Sequence, residues 1–154
     1  MSENVSRSVV DAFCKAYATR DADKIADFLH DDVEWTINGP VDFLHFCGTH
    51  HGKAAVIDLI KRKVPEVLRT FSFVPETVMV EDNQLAMLHR QSARRTDDGR
   101  VISYRVANFI RFHHGKVIKN LSLLDSFDAV EQVLGQPLAG QRIDMTAGDN
   151  VVAL

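Results

Sequence analysis

Between Phe71 and Leu124 the chain repeats one pattern four times: a strand-length run of mostly apolar, β-branched and aromatic residues, then a short cluster of turn formers. The runs span roughly residues 71–80, 85–95, 101–112 and 116–124, separated by Glu81-Asp82-Asn83, Thr96-Asp97-Asp98-Gly99 and His113-His114-Gly115. Links this short join antiparallel neighbours, because a parallel pair needs a crossover of a dozen residues or more. The second half of the chain is therefore expected to be an antiparallel meander, and everything before it must pack on that sheet.

What precedes the meander reads mainly as helix. Val5, Val9, Phe13 and Tyr17 recur at four-residue spacing with Val10 and Cys14 beside them, which predicts an amphipathic helix over residues 3–19. Asp21 caps a short second helix that turns Ile25, Phe28 and Leu29 inward, and His30-Asp31-Asp32 breaks it. Val33–Ile37 alternates as a strand, Asn38-Gly39-Pro40 stops it, and residues 41–51 read as a loop. Gly52 opens a third helix with Ala55, Val56, Leu59, Ile60 and Val64 on one face, ended by Pro65. After the meander, Ser126 caps a last helix carrying Phe127, Val130, Val133 and Leu134, closed by Gly135 and Pro137. Residues 138–154 lack a pattern and read as a C-terminal tail on a single domain of residues 1–137.

Helices first and strands afterwards predict an α+β fold: a curved antiparallel sheet wrapped around the N-terminal helices as a cone with a central pocket. The 154 residues, 45% of them hydrophobic, suffice for one core. The net charge of −3 comes from 18 basic and 21 acidic residues scattered along the chain, so neither nucleic acid nor a membrane is an expected partner. Lys61-Arg62-Lys63 reads as a solvated helix face. With no signal-like or membrane-length apolar run, a cytoplasmic protein is expected. Cys14 and Cys47 form neither a disulfide framework nor a metal motif, and the adjacent pairs His50-His51 and His113-His114 lack ligand spacing. No phosphate-cradling glycine loop, dinucleotide fingerprint or Ser-His-Asp order occurs, so no metal and no cofactor are expected.

Asp125 is the leading candidate for acid–base work. It follows the apolar run Val117-Ile118-Lys119-Asn120-Leu121-Ser122-Leu123-Leu124, so its carboxylate is either partly desolvated and suited to proton transfer, or a helix cap in water. Arg90 interrupts the strand after Leu85-Ala86-Met87-Leu88, and if it points into the cone Asp125 is its natural mate. Trp35 offers a flat wall with an N–H donor. Alternation puts Tyr104, Val106, Asn108 and Ile110 on one face, a pocket lining with two polar handles. Ser103, Arg105, Ala107, Phe109 and Arg111 fall on the other face, an exterior or subunit contact. His45 and His50 would rim the cone mouth, where an imidazole titrates near neutrality.

Several strings resemble the SnoaL-like and ketosteroid-isomerase-like proteins of the nuclear transport factor 2-like superfamily. They are Ala16-Tyr17-Ala18-Thr19-Arg20-Asp21-Ala22-Asp23, Val33-Glu34-Trp35-Thr36-Ile37, the loop Phe46-Cys47-Gly48-Thr49-His50-His51-Gly52-Lys53, and Gly115-Lys116-Val117 followed by Asp125. The resemblance implies the cone fold, a small apolar or cyclic ligand, and a homodimer paired through the outer face of the sheet. It implies no single reaction. Where ketosteroid isomerases carry a catalytic aspartate and tyrosine, this chain has Trp35 or Thr36, and Phe13, which argues against that route. Where limonene epoxide hydrolases carry an arginine and two aspartates, it has Arg90, Ser92 and Asp125, one carboxylate short. Asp125 also matches the aspartate with which SnoaL-like polyketide cyclases move a proton beside a carbonyl. The leading expectation is cofactor-free proton transfer of the isomerase, cyclase or lyase kind. Asp125 and Arg90 would be catalytic, and Trp35, Tyr104, Asn108 and His50 would bind substrate. A non-catalytic ligand-binding or scaffold domain is the alternative, and an epoxide hydrolase the third.

Overall fold

The structure is a computed structural model that describes residues 4–136; the expected tail lies outside them. The first helix, α1 (Arg7–Thr19), starts where the Ser6 hydroxyl accepts the Val9 N–H, and it buries Val10, Phe13, Ala16 and Tyr17. It ends at Arg20 in the left-handed conformation, φ 57°. Asp21 then caps α2 (Ala22–Ala26) by accepting from the Asp23 and Lys24 N–H groups.

The strand expected from Val33 begins earlier. β1 covers Leu29–Asn38, and His30-Asp31-Asp32 lies inside it as an irregular stretch rather than a break. The expected loop also contains a strand, β2 (Gly48–His51), paired antiparallel with β1 and tied by a 2.9 Å bond between the Thr36 and Thr49 hydroxyls. α3 (Lys53–Asp58) runs on into a π-helical turn, Leu59–Lys63. The meander follows as β3 (Leu68–Glu81), β4 (Gln84–Arg95), β5 (Val101–His113) and β6 (Lys116–Leu124), and α4 (Ser126–Leu134) closes the described chain. Pro75 is tolerated because β3 is an edge strand.

The six strands form one sheet in the order β2-β1-β6-β5-β4-β3. Every pairing within the meander is antiparallel, but β1 lies parallel to β6, so the sheet is mixed and not wholly antiparallel as expected. A parallel partner is chosen by how the whole domain closes, and no local turn announces it. The sheet is curved and unclosed. Its concave face holds an aromatic cluster in which Phe13 packs edge-on against Phe28 and Phe112, and Tyr17 against Phe73 and His89.

Candidate functional site

Alternation on β5 runs as expected: Tyr104, Val106, Asn108 and Ile110 are buried on the inner face. On β4 the inner face carries Leu85, Met87, His89, Gln91 and Ala93. Register places Ser122 beside Asn108, and Leu124 beside Val106, with His89 on the far side of Val106. These inner residues, with α1 and the π-helical turn, bound a cavity lined by Tyr17, Arg20, Trp35, Gln91, Tyr104 and Ser122 among others. Its free volume for water-sized molecules is about 30 Å³. A benzene-sized guest needs about 150 Å³, so a ring-shaped ligand must push the wall outward.

Next to this cavity lies a fully buried polar network. The Asn108 amide donates to Asn120 Oδ1 at 3.0 Å and to Ser122 Oγ at 2.7 Å, and Asn120 Nδ2 donates to the same hydroxyl at 2.9 Å. Both amide hydrogens of Asn108 are thereby committed, so its Oδ1 must accept, and it does so from His89 Nε2 at 2.6 Å. The proton of a neutral imidazole then sits on Nε2, leaving a bare lone pair on Nδ1. That Nδ1 is buried and has no hydrogen-bond partner among the described residues. Burial pushes His89 down to about 4, and the Arg20 charge adds to the effect, partly offset by the Asn108 bond and by Glu76. Phe73 stacks on the ring at 4.1 Å between centroids. The chemistry of this arrangement is that of a neutral base whose tautomer is fixed from behind.

Two oxygen-binding groups face the cavity itself. Tyr104 is pushed up to about 12 by burial, so its hydroxyl remains a donor. Its one hydrogen-bond partner among the described residues, Gln91 Oε1, is 3.5 Å away, at the limit of a hydrogen bond. Arg20 lays its guanidinium over the Tyr17 ring at 4.8 Å. Its Nη1 is buried with no hydrogen-bond partner among the described residues. A phenol and a guanidinium with spare hydrogens can hold a developing oxyanion.

The SnoaL-like domain family matches residues 10–120. The chain belongs to the SnoaL-like family. Among solved structures, a candidate isomerase from Rhodopseudomonas palustris is 33% identical, with TM-score 0.72, 82% of this chain and 93% of that one covered. TerC co-crystallized with polyporic acid aligns with TM-score 0.72 at 18% identity, over 82% and 96% of the two chains. A nuclear transport factor 2-like protein of unknown function from Burkholderia pseudomallei aligns with TM-score 0.70 at 21% identity, over 86% and 96%. At these lower identities the likeness is one of fold. No curated protein matches.

Against this SnoaL-like frame the expected site residues divide. Trp35, Tyr104 and Asn108 all face inward; Trp35 and Tyr104 line the cavity and Asn108 anchors the network behind it. His50 is half-buried with Nε2 3.1 Å from the Phe46 carbonyl oxygen, and it does not line the cavity. Arg90 points outward, 3.8 Å from Glu76, a carboxylate it shares with Arg105. Asp125 is exposed, occupies the N-cap position of α4 without a side-chain capping bond, and forms no ion pair with Arg90. The expected inward Arg90 and its pairing with Asp125 are thus not formed, because the phase of β4 turns His89 to the interior and Arg90 to the outside. With both outward, the epoxide-hydrolase arrangement is not assembled.

Sequence reasoning missed His89, Arg20 and Tyr17. A signal for His89 was available: Arg90, Ser92 and Arg94 alternate with His89, Gln91 and Ala93, and a face bearing two arginines belongs in water. Arg20 carried none, since its orientation follows from the left-handed end of α1. Among the described residues no three His, Cys, Asp or Glu side chains cluster as a metal ion would require, and no helix is long and apolar enough to cross a membrane.

Proposed function

We propose that this SnoaL-like protein catalyses cofactor-free proton transfer, of the isomerase, cyclase or lyase kind, on a small cyclic carbonyl compound held in the interior cavity. The observation that carries the reading is the buried, unpartnered Nδ1 of a neutral His89 whose other nitrogen is held by Asn108. His89 stands opposite Val106 and next but one to Gln91, and packs edge-on to Tyr17, all three of them cavity residues, so a ligand that parts this wall reaches the imidazole ring. His89 takes the proton beside the carbonyl, Tyr104 holds the enolate oxygen, and Tyr17 and Trp35 wall the ring. The reading thus moves the base from Asp125, at the exposed end of β6, to the interior. A cytoplasmic homodimer paired through the outer sheet face belongs to the same proposal.

The test is deuterium exchange. In D₂O the protein is expected to exchange hydrogens beside the carbonyl in a panel of cyclic ketones and diketones, and His89→Gln to slow this by about 10²–10⁴-fold, the usual worth of a positioned base. A second reading, ligand binding without chemistry, draws on the small free volume of the cavity and on the absence of any carboxylate among its described lining residues. Binding of such rings with no exchange in the wild type would establish it.

A further inference from the structure

Arg20 is the only charged residue among the described residues that line the interior cavity. It has no ion pair within the described residues, although guanidinium groups with buried nitrogens are ordinarily matched by a carboxylate or a carbonyl. Its backbone is also unusual. With φ 57° it closes α1 in a conformation that glycine adopts without cost, and the chain keeps an arginine there.

The surroundings extend the observation. Arg20, Ile60 and Val64 line both the interior cavity and an outer cleft whose other lining residues include Lys61 and Arg69. No acidic side chain is among the described residues lining that cleft. The wall between the two spaces is the π-helical turn, which sends Ile60 to both spaces and Lys61 to the cleft alone. A chain with a net charge of −3 thus presents three cations at one mouth: Arg69, Lys61 with Asp23 3.9 Å from it, and innermost Arg20 with an unused buried donor.

We infer that the cavity takes a small cyclic acid, admitted past Lys61 and Arg69, whose carboxylate pairs with Arg20. This rests on the proposed reading only in taking the cavity as the substrate site, and it names the substrate class. The planar fork of Arg20 matches a carboxylate in two parallel hydrogen bonds, and the Tyr17 ring beneath supports the guanidinium.

The experiment is calorimetry on the full chain with benzoate and salicylate against benzamide and salicylamide, which match them in shape and lack the charge. The wild type is expected to bind the acids about tenfold to a hundredfold more tightly than the amides, the range of a charge-assisted pair, and to lose part of that preference in high salt. Arg20→Gly, which suits the left-handed backbone, and Arg20→Gln should fold and bring acid and amide to within about twofold, as expected when the charge pairing is gone. Equal binding of acid and amide by the wild type, no binding of either acid at millimolar concentration, or an undiminished preference in both variants overturns the inference. Its fate is separable from that of the proton-transfer proposal. Acid preference through Arg20 with no deuterium exchange on any carbonyl would leave this inference standing and remove the other, and exchange on neutral ketones without acid preference would do the reverse.

Discussion

His89 Nε2 and Asn108 Oδ1 meet at 2.6 Å inside the sheet, and because both hydrogens of the Asn108 amide are already given to Asn120 and Ser122, this contact decides which nitrogen of His89 carries the proton. The bond spans neighbouring strands diagonally, from β4 to β5, and the network continues to β6. The same contact that positions the imidazole therefore also ties three strands together.

Acid should destabilise the fold through His89. Its folded value of about 4 lies below the ordinary 6.5, so between those pH values the unfolded chain binds a proton that the folded chain refuses. Stability from this group is complete above about pH 6.5, falls as the pH drops through that value, and is fully lost below about 4. The gap is worth about 3 kcal/mol at most by the linkage relation. Urea midpoints from pH 4 to pH 7.5 should rise steeply for the wild type, and with a visibly shallower slope for His89→Gln.

Removing the hub of the network should cost more than removing one bond. Asn108→Ala strands His89 Nε2 and Asn120 Oδ1 in a dry interior, while Ser122 Oγ keeps its bond from Asn120 Nδ2, and each unsatisfied group costs about 1–3 kcal/mol. We expect a loss of roughly 3–5 kcal/mol in thermal or urea unfolding, with Asn108→Asp intermediate. A change under 1 kcal/mol would mean that water replaces the amide.

Gly39 is required by its neighbour. A Cβ at this position would lie 2.6 Å from Cys47 Sγ, which is itself buried, and 3.3 Å from Leu124 Cδ1. Overpacking of this kind costs about 1–3 kcal/mol. Gly39→Ala should fall in that range, Cys47→Ala should recover much of it in the double variant, and additive losses would show that the clash is not with the thiol. The Cys47 thiol is pushed up to about 11 by burial, so it should also resist alkylation in the folded protein at neutral pH.

The outer sheet face should carry the dimer. Register aligns Met79, Ala86, Phe109 and Leu121 across four strands, with Met79 63% and Phe109 50% exposed, a contiguous apolar row that a monomer would leave in water. Sedimentation at micromolar concentration is expected to show a dimer for the wild type and a monomer for Phe109→Lys with Met79→Lys; a monomeric wild type would assign that face to something other than self-association.

How far the sequence could be read followed the range of the forces involved. The meander and the inward set Tyr104, Val106, Asn108 and Ile110 were legible because alternation and hairpin turns act over a few residues. β2 was not, since Gly48-Thr49-His50-His51 has no apolar alternation and becomes a strand only by pairing with β1. The parallel seam between β1 and β6 joins segments about eighty-five residues apart and leaves no local mark. At the site, Trp35 was legible from its surroundings, whereas the β4 phase was obscured because Leu85, Ala86, Met87 and Leu88 are apolar on both faces. Arg90 was therefore read as the interior polar residue when His89 holds that place. Asp125 was read from the greasy strand before it, but the chain turns into α4 there and the carboxylate emerges into solvent.

The account depends on His89 being a neutral base with its Nδ1 unprotonated, and long-range ¹H–¹⁵N correlation spectra of histidine-labelled protein observe that directly. We predict a pure Nε2–H pattern for His89, with Nδ1 at the shift of an unprotonated nitrogen from pH 8 down to about pH 5. An Nδ1–H tautomer, or a ring that titrates with an ordinary midpoint near 6.5, would contradict it.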